Sequence, residues 1–124
     1  MNKKTICLIP ARAGSKRIKN KNIKKFLGKS FLERVINTAK KSNLFNELYV
    51  STDSLKIKKI AINAGAKVPY IRSKKLSNDT AIIKSVIDDF LKKVILNEKE
   101  NIKYNINLFI LYPTSIFIGK KLLI

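Results

Sequence analysis

The chain has 124 residues, enough for one domain or part of one, and its 45% hydrophobic content supplies a core and excludes wholesale disorder. With 27 Lys and Arg against 8 Asp and Glu, the formal charge of +19 favours anionic partners: phosphorylated small molecules, nucleic acid or an acidic membrane surface. No histidine is present, which excludes Ser-His-Asp and Cys-His catalysis and any His-ligated metal, and the single Cys7 excludes an internal disulfide.

In chain order, Thr5 to Pro10 is a continuous β-rich apolar run of the kind that forms a parallel strand buried on both faces. Cys7 lies within it and is expected to be a buried, inert thiol. A polar loop with Gly14 follows, running from Ala11 through Arg17 and on to Asn22, and Phe26 to Lys29 reads as a turn. Phe31, Leu32, Val35, Ile36 and Ala39 then recur at helical spacing. Ser30 is the predicted N-cap, Glu33 completes a capping box, and the helix is expected to end near Ser42-Asn43.

Leu48 to Asp53 reads as a second buried strand with a polar tip, and Ile57, Ile60, Ala61 and Ala64 as a helical stripe stopped by Gly65. Lys67 to Arg72 is predicted to be a short third strand, which Pro69 places near an edge. Ser77 to Thr80 offers caps for a longer helix bearing Ile83, Val86, Ile87, Phe90, Leu91, Val94 and Ile95. Residues 97–105 look like a loop, and Asn107 to Tyr112 is the fourth predicted strand.

Strand and helix alternate throughout, so the expected fold is α/β with a largely parallel sheet, occupying residues 1–124 as one unit. In such sheets ligands bind beyond the carboxyl ends of the strands. That rule selects Pro10 to Lys16, Ser51 to Asp53, Arg72 to Thr80 and Tyr112 to Ser115. In the first of these loops, Gly14 lets backbone approach a ligand, Ser15 adds a hydroxyl, and Arg12, Lys16 and Lys21 add positive charge, as a triphosphate requires. The spacing is not that of a Walker A loop, and on chemistry alone a solvated turn competes with a phosphate site. Arg72 read alone competes with a surface charge on an edge strand, Asp79 and Thr80 with simple helix caps, and Tyr112 with a core aromatic.

The run from Leu8 to Arg17, followed by Lys21-Asn22, resembles the N-terminal motif of the bacterial sialic-acid-type cytidylyltransferases, which join a nine-carbon acidic sugar to CMP. Val50 to Asp53, Arg72 with Leu76 to Ala81, and Tyr112 to Ser115 resemble three further segments of that family, in order and over nearly the whole chain. Tyr112-Pro113-Thr114, with Val68 to Arg72, looks more like the pseudaminic acid branch than the N-acetylneuraminate branch.

The resemblance implies a Rossmann-like nucleotidyltransferase (GT-A-like) fold and CTP and a nonulosonic acid as substrates. It further implies Mg²⁺ as cofactor and a homodimer in the intact family. It gives Arg12, Ser15 and Lys16 to the CTP phosphates, Lys21 to the departing pyrophosphate, and Asn22 to nucleotide positioning. Arg12 and Lys21 are thereby the catalytic candidates. Arg72, Ser77, Asp79, Thr80 and Ala81 are implied to wall cytosine and ribose, with Tyr112 and Thr114 between nucleotide and sugar.

Mg²⁺ needs carboxylate oxygens. Of the eight acidic residues, only Asp53 and Asp79 fall at predicted strand ends, which makes Asp53 a weak metal candidate. Glu33, Glu47, Asp88, Asp89, Glu98 and Glu100 are expected to lie away from the cleft. The family's further metal-binding aspartates and its dimerisation element have no counterpart here, and residues 116–124 depart from its pattern. The sequence therefore reads as incomplete at its C-terminus: a fragment, a disrupted frame or half of a split enzyme, with catalysis impaired.

Two alternatives accompany this reading: a non-functional or nucleotide-binding remnant, and a basic nucleic-acid-binding module supported by charge alone. Lys among Asn and Ile is also the texture of compositional drift on a solvated surface, and no nucleic-acid-binding motif accompanies it. No run reaches the roughly 20 apolar residues of a membrane span, so a cytoplasmic, soluble protein is expected.

Overall fold

The structure is a computed structural model that describes residues 2–12, 25, 26, 29–73, 83–97, 99 and 103–112. Its main sheet has three parallel strands in the order β4-β1-β5, formed by β1 (Asn2–Pro10), β4 (Glu47–Ser51) and β5 (Tyr104–Ile110). A separate antiparallel pair, β2 (Lys25–Phe26) and β3 (Lys29–Ser30), stands where the sequence reads as a turn, whose middle residues 27 and 28 lie outside the described ones.

β1 is the central strand, as its unbroken apolar run anticipates. Ile6, Cys7, Leu8 and Ile9 are all completely buried. Alternate side chains feed two cores. Cys7, Ile9 and Ala11 join Leu48 and Val50 against helices α1 (Phe31–Ser42) and α2 (Leu55–Asn63). Ile6 and Leu8 join Tyr49 against Phe90, Val94 and Ile95, which come from α3 (Ile83–Phe90) and its π-helical continuation Leu91–Ile95. There the Leu96 amide bonds back to the Leu91 carbonyl at 2.8 Å, and the wider turn carries both Val94 and Ile95 inward.

Helix α1 forms where its capping box predicts. Ser30 Oγ accepts from the Glu33 amide at 3.1 Å, while Glu33 Oε1 accepts from the Ser30 amide at 3.2 Å. Lys40 and Lys41 in the last turn suit the negative end of the helix dipole. Asn43 closes the helix at φ 57°, a left-handed position that Asn tolerates.

Two predicted strands differ from the structure. β5 begins at Tyr104, not Asn107, because its first half is packed on one face only: Ile106, Leu108 and Ile110 line the core while Asn105 and Asn107 point outward, and Phe109 on that second face packs against Phe45 at 5.5 Å. The segment from Lys67 to Arg72 lies beside β4 but is no continuous strand. It touches β4 at two isolated bridges, Tyr49 with Lys67 and Thr52 with Ile71.

The pairing slips by one residue between those bridges, across Pro69, which has no amide to give. A one-residue slip turns side chains to the opposite face. Ala66 and Val68 therefore pack on the α1 and α2 side, whereas Tyr70 and Arg72 turn toward α3.

Candidate functional site

The parallel register brings the carboxyl ends of β1 and β4 level, with Pro10 opposite Ser51, while β5 ends two residues lower, with Ile110 opposite Leu8. Arg12, Asp53 and Tyr112 each lie two residues past the end of their strand, and Arg72 follows the Thr52–Ile71 bridge. Across the sheet edge the order is Arg72, Asp53, Arg12, Tyr112. At about 4.8 Å per strand this row spans roughly 14 Å, the scale of a nucleotide with its phosphates.

Backbone hydrogen bonds fasten these loops at their roots. The Ala11 amide donates to Ser51 O at 2.9 Å, the Arg72 amide to Thr52 O at 2.7 Å, and the Leu111 amide to Leu8 O at 3.0 Å. Thr52 is completely buried, and its Oγ1 accepts from the Ser54 amide at 3.2 Å. Ser54 in turn caps α2, its Oγ accepting from the Ile57 amide at 3.2 Å. Asp53 is thus held between a buried strand end and a helix cap.

The side chains at this edge differ in setting. Arg72 is only 4% exposed, so it is not the solvated edge charge with which it competes in the sequence. Burial lowers the pKa of its guanidinium from the ordinary arginine value, the charges of Asp53, Tyr70 and Asp89 oppose that change, and the like charge of Arg12 adds to it. Arg12, Arg72 and Asp53 therefore share one electrostatic neighbourhood. Tyr112 is 47% exposed and not a core aromatic, which leaves its ring available to a ligand. Ser15, Lys16, Lys21, Asn22, Ser77, Asp79, Thr80, Ala81 and Thr114 lie outside the described residues.

Three buried polar atoms complete no hydrogen bond: Ser51 Oγ, Tyr70 OH and Asp89 Oδ2. Tyr70 OH is near enough to Ser51 and Asp89 for both to act on its titration, although burial is the main reason its pKa is raised. These residues escape sequence reasoning because they come from three elements. Asp89 lies on α3, as expected of a helix residue, and its charge is the smallest of those that act on Arg72. Its place one residue before Phe90 on the apolar stripe of α3 turns it partly inward.

Among the described residues no group of three or more His, Cys, Asp or Glu side chains comes together as a cation site. Asp53 is the sole described carboxylate at the strand tips, and it faces the Arg72 charge. Among the described residues Asp53 alone could contribute a carboxylate to Mg²⁺ at this edge, the remaining ligands coming from substrate phosphates and water.

A hollow of about 280 Å³ lies at the opposite end of the sheet, lined by Lys40, Asn46, Glu47, Gly65 and Lys67 among others. It sits at the amino end of β4, where Lys4 and Lys67 lie 3.0 and 3.9 Å from Glu47. Ligands of parallel sheets bind at the other end.

Residues 6–101 match the sequence profile of a family described as cytidylyltransferase. The chain belongs to the cytidylyltransferase family. It is 38% identical over 120 residues to the pseudaminic acid cytidylyltransferase of Campylobacter jejuni, covering 97% of this chain and 50% of that protein. It is 43% identical over 88 residues to the CMP-N,N'-diacetyllegionaminic acid synthase of Legionella pneumophila, covering 70% and 38% respectively.

In fold it is similar to a CMP:2-keto-3-deoxy-manno-octonic acid synthetase solved in complex with CTP. The TM-score is 0.74 at 21% identity, with 95% of this chain and 43% of that one covered. The chain spans about half the length of the first two relatives or less. The cytidylyltransferase fold is thus shown, and the Rossmann-like nucleotidyltransferase expected from the sequence stands, with three parallel strands of its sheet described here. Among the described residues no helix is long and apolar enough to cross a membrane.

Proposed function

We propose that this chain forms the nucleotide-binding part of a CTP:nonulosonate cytidylyltransferase. In the reaction a sugar-acid hydroxyl attacks the α-phosphate of CTP. A new P–O bond forms to the sugar, the bond to the β-phosphate oxygen breaks, pyrophosphate leaves and the hydroxyl proton is released. The observation that carries the reading is the row of Arg12, Asp53 and Arg72 at the carboxyl edge of a parallel sheet in a chain of this family. Two guanidiniums set at fixed spacing stabilise an anion far better than mobile surface charge, because their positions are established before the ligand arrives.

In this reading Arg12, with Ser15 and Lys16, faces the triphosphate, Lys21 takes the charge of the departing pyrophosphate, and Asn22 orients the nucleotide. Arg72, with Ser77, Asp79, Thr80 and Ala81, walls the cytosine and ribose, and Tyr112 and Thr114 lie toward the sugar. The pseudaminic acid branch is the proposed sugar class, supported by the 38% identity to a pseudaminic acid cytidylyltransferase over nearly the whole chain. The chain is proposed to carry the nucleotide half of the reaction, with Mg²⁺ supplied alongside CTP.

Isothermal titration of the purified chain with CTP, UTP and ATP in the presence of Mg²⁺ tests the proposal. A preference for CTP that Arg12→Ala abolishes is expected. Equal heats for CTP and ATP, or an affinity untouched by Arg12→Ala, contradict it.

A further inference from the structure

We propose that Thr52 is the positioning residue of the strand-end site: its buried hydroxyl sets the direction in which Asp53 is offered to CTP and Mg²⁺, while its backbone holds Arg72 alongside. The inference rests on the nucleotide reading for what Asp53 is offered to, and on hydrogen bonds within the fold for everything else.

The connection from β4 to α2 consists of Thr52, Asp53 and Ser54. Both outer residues are fixed. Thr52 is completely buried and joined to the neighbouring segment, its carbonyl accepting from the Arg72 amide at 2.7 Å beside the bridge to Ile71. Ser54 belongs to the cap of α2. Its Oγ accepts from the Ile57 amide at 3.2 Å and its carbonyl from the Lys58 amide at 2.9 Å. Ile57 and Ala61, both buried, anchor that helix in the core.

One hydrogen bond spans the residue between them. Thr52 Oγ1 accepts from the Ser54 amide at 3.2 Å, which closes a turn around Asp53 and restrains the peptide units on either side of it. The direction of the Asp53 side chain is therefore set by the backbone before any ligand arrives. Threonine suits this task. Its β-branch leaves few side-chain rotamers, and complete burial leaves no solvent into which the hydroxyl could turn. One residue thus fixes the backbone of two oppositely charged groups of the site, Asp53 through its side chain and Arg72 through its carbonyl.

The test uses the full chain with Thr52→Val, which keeps the shape and removes the hydroxyl, and Thr52→Ser, which keeps the hydroxyl. The first readout is by ¹H–¹⁵N and ¹³C spectra. The wild-type Ser54 amide is expected to exchange more slowly than exposed loop amides. Thr52→Val should speed that exchange on the order of tenfold, the scale of one hydrogen bond, and displace the Asp53 Cα and Cβ resonances while β1 and β4 amides stay in place. Thr52→Ser should restore both. If the Val variant loses the core amides, Thr52→Cys, whose sulfur is a weak acceptor, is read in its place. Asp53 resonances identical to wild type in whichever variant folds overturn the proposal, as does a wild-type Ser54 amide that exchanges like an exposed loop amide.

The second readout is CTP affinity with Mg²⁺. Thr52→Val is expected to weaken it about threefold to tenfold, Thr52→Ser to recover most of the loss, and an Asp53→Asn background to show no further loss. A loss that persists in full in that background overturns the proposal, because Thr52 would then act other than through Asp53. If the wild-type chain shows no preference for CTP over ATP, the nucleotide reading fails, and the spectra alone decide the role of Thr52.

Discussion

Replacing Arg72 by Met isolates the electrostatics of the strand-end site. Met keeps much of the length and apolar volume of the arginine stem, so packing changes little while the charge is removed. Asp53 and Asp89 then lose a positive neighbour that is 4% exposed. Removing a buried charge that compensates its neighbours costs up to about 3–5 kcal/mol, the figure for breaking a buried ion pair, because the remaining charge is left uncompensated. Asp89 keeps Lys93 at 3.3 Å, and Asp53 is half-buried, so the lower end applies. With each kcal/mol worth about 4–8 °C in a domain of this size, Arg72→Met should lower the midpoint of thermal unfolding by at least about 10 °C.

The triple variant Arg72→Met, Asp53→Asn, Asp89→Asn removes the stranded charges and should regain most of that loss. Differential scanning calorimetry at neutral pH and low salt reads both. A single variant within about 3 °C of wild type, equivalent to less than about 1 kcal/mol, would refute the electrostatic coupling of Arg72 to these carboxylates.

Other consequences are simpler to measure. Ser30→Ala removes both Ser30 side-chain bonds of the α1 capping box and should cost about 1 kcal/mol in urea unfolding; no change would mean the box is not formed in solution. Burial works to raise the pKa of Glu47, but hydrogen bonds from Tyr49 and Lys4 and the charges of Lys4 and Lys67 outweigh it and hold it below 4.5. A depressed carboxylate contributes stability that is present above its unfolded value and lost as the pH falls through its folded one. Glu47→Gln should therefore be less stable than wild type at pH 6, with the gap closing below pH 4.5; a constant gap would contradict the assignment. Burial pushes the Cys7 thiol up to about 12, so it should resist aromatic disulfide reagents at pH 8 until the chain unfolds; rapid labelling of the folded chain would contradict its place in the core.

Much of this fold was legible because local signals agreed with one another. The capping box at Ser30 and Glu33, the apolar run of β1 and the Gly65 stop, where φ is 102°, each report a structure decided within a few residues. β5 was legible only in part, since a strand packed on one face places Asn105 and Asn107 where a fully buried strand would have apolar residues. The slip at Pro69 was invisible: whether Tyr70 and Arg72 face α1 or α3 depends on pairing with β4, which no local pattern encodes.

The site follows the same division. Arg12, Asp53, Arg72 and Tyr112 could be named from their positions at strand ends, whereas the burial of Arg72 comes from packing between distant segments. Adjacent residues on a helix diverge by about 100°, which leaves Asp88 exposed and turns Asp89 partly inward.

The most direct test of the account is thermal unfolding of the purified chain with and without millimolar CTP and Mg²⁺, with ATP as control. Ligand at about 100 times its dissociation constant adds about 2.7 kcal/mol to the native state, so a cooperative transition moved upward by CTP and not by ATP is predicted. A transition moved equally by both nucleotides, or by neither, would contradict a cytidine-nucleotide site at the strand ends.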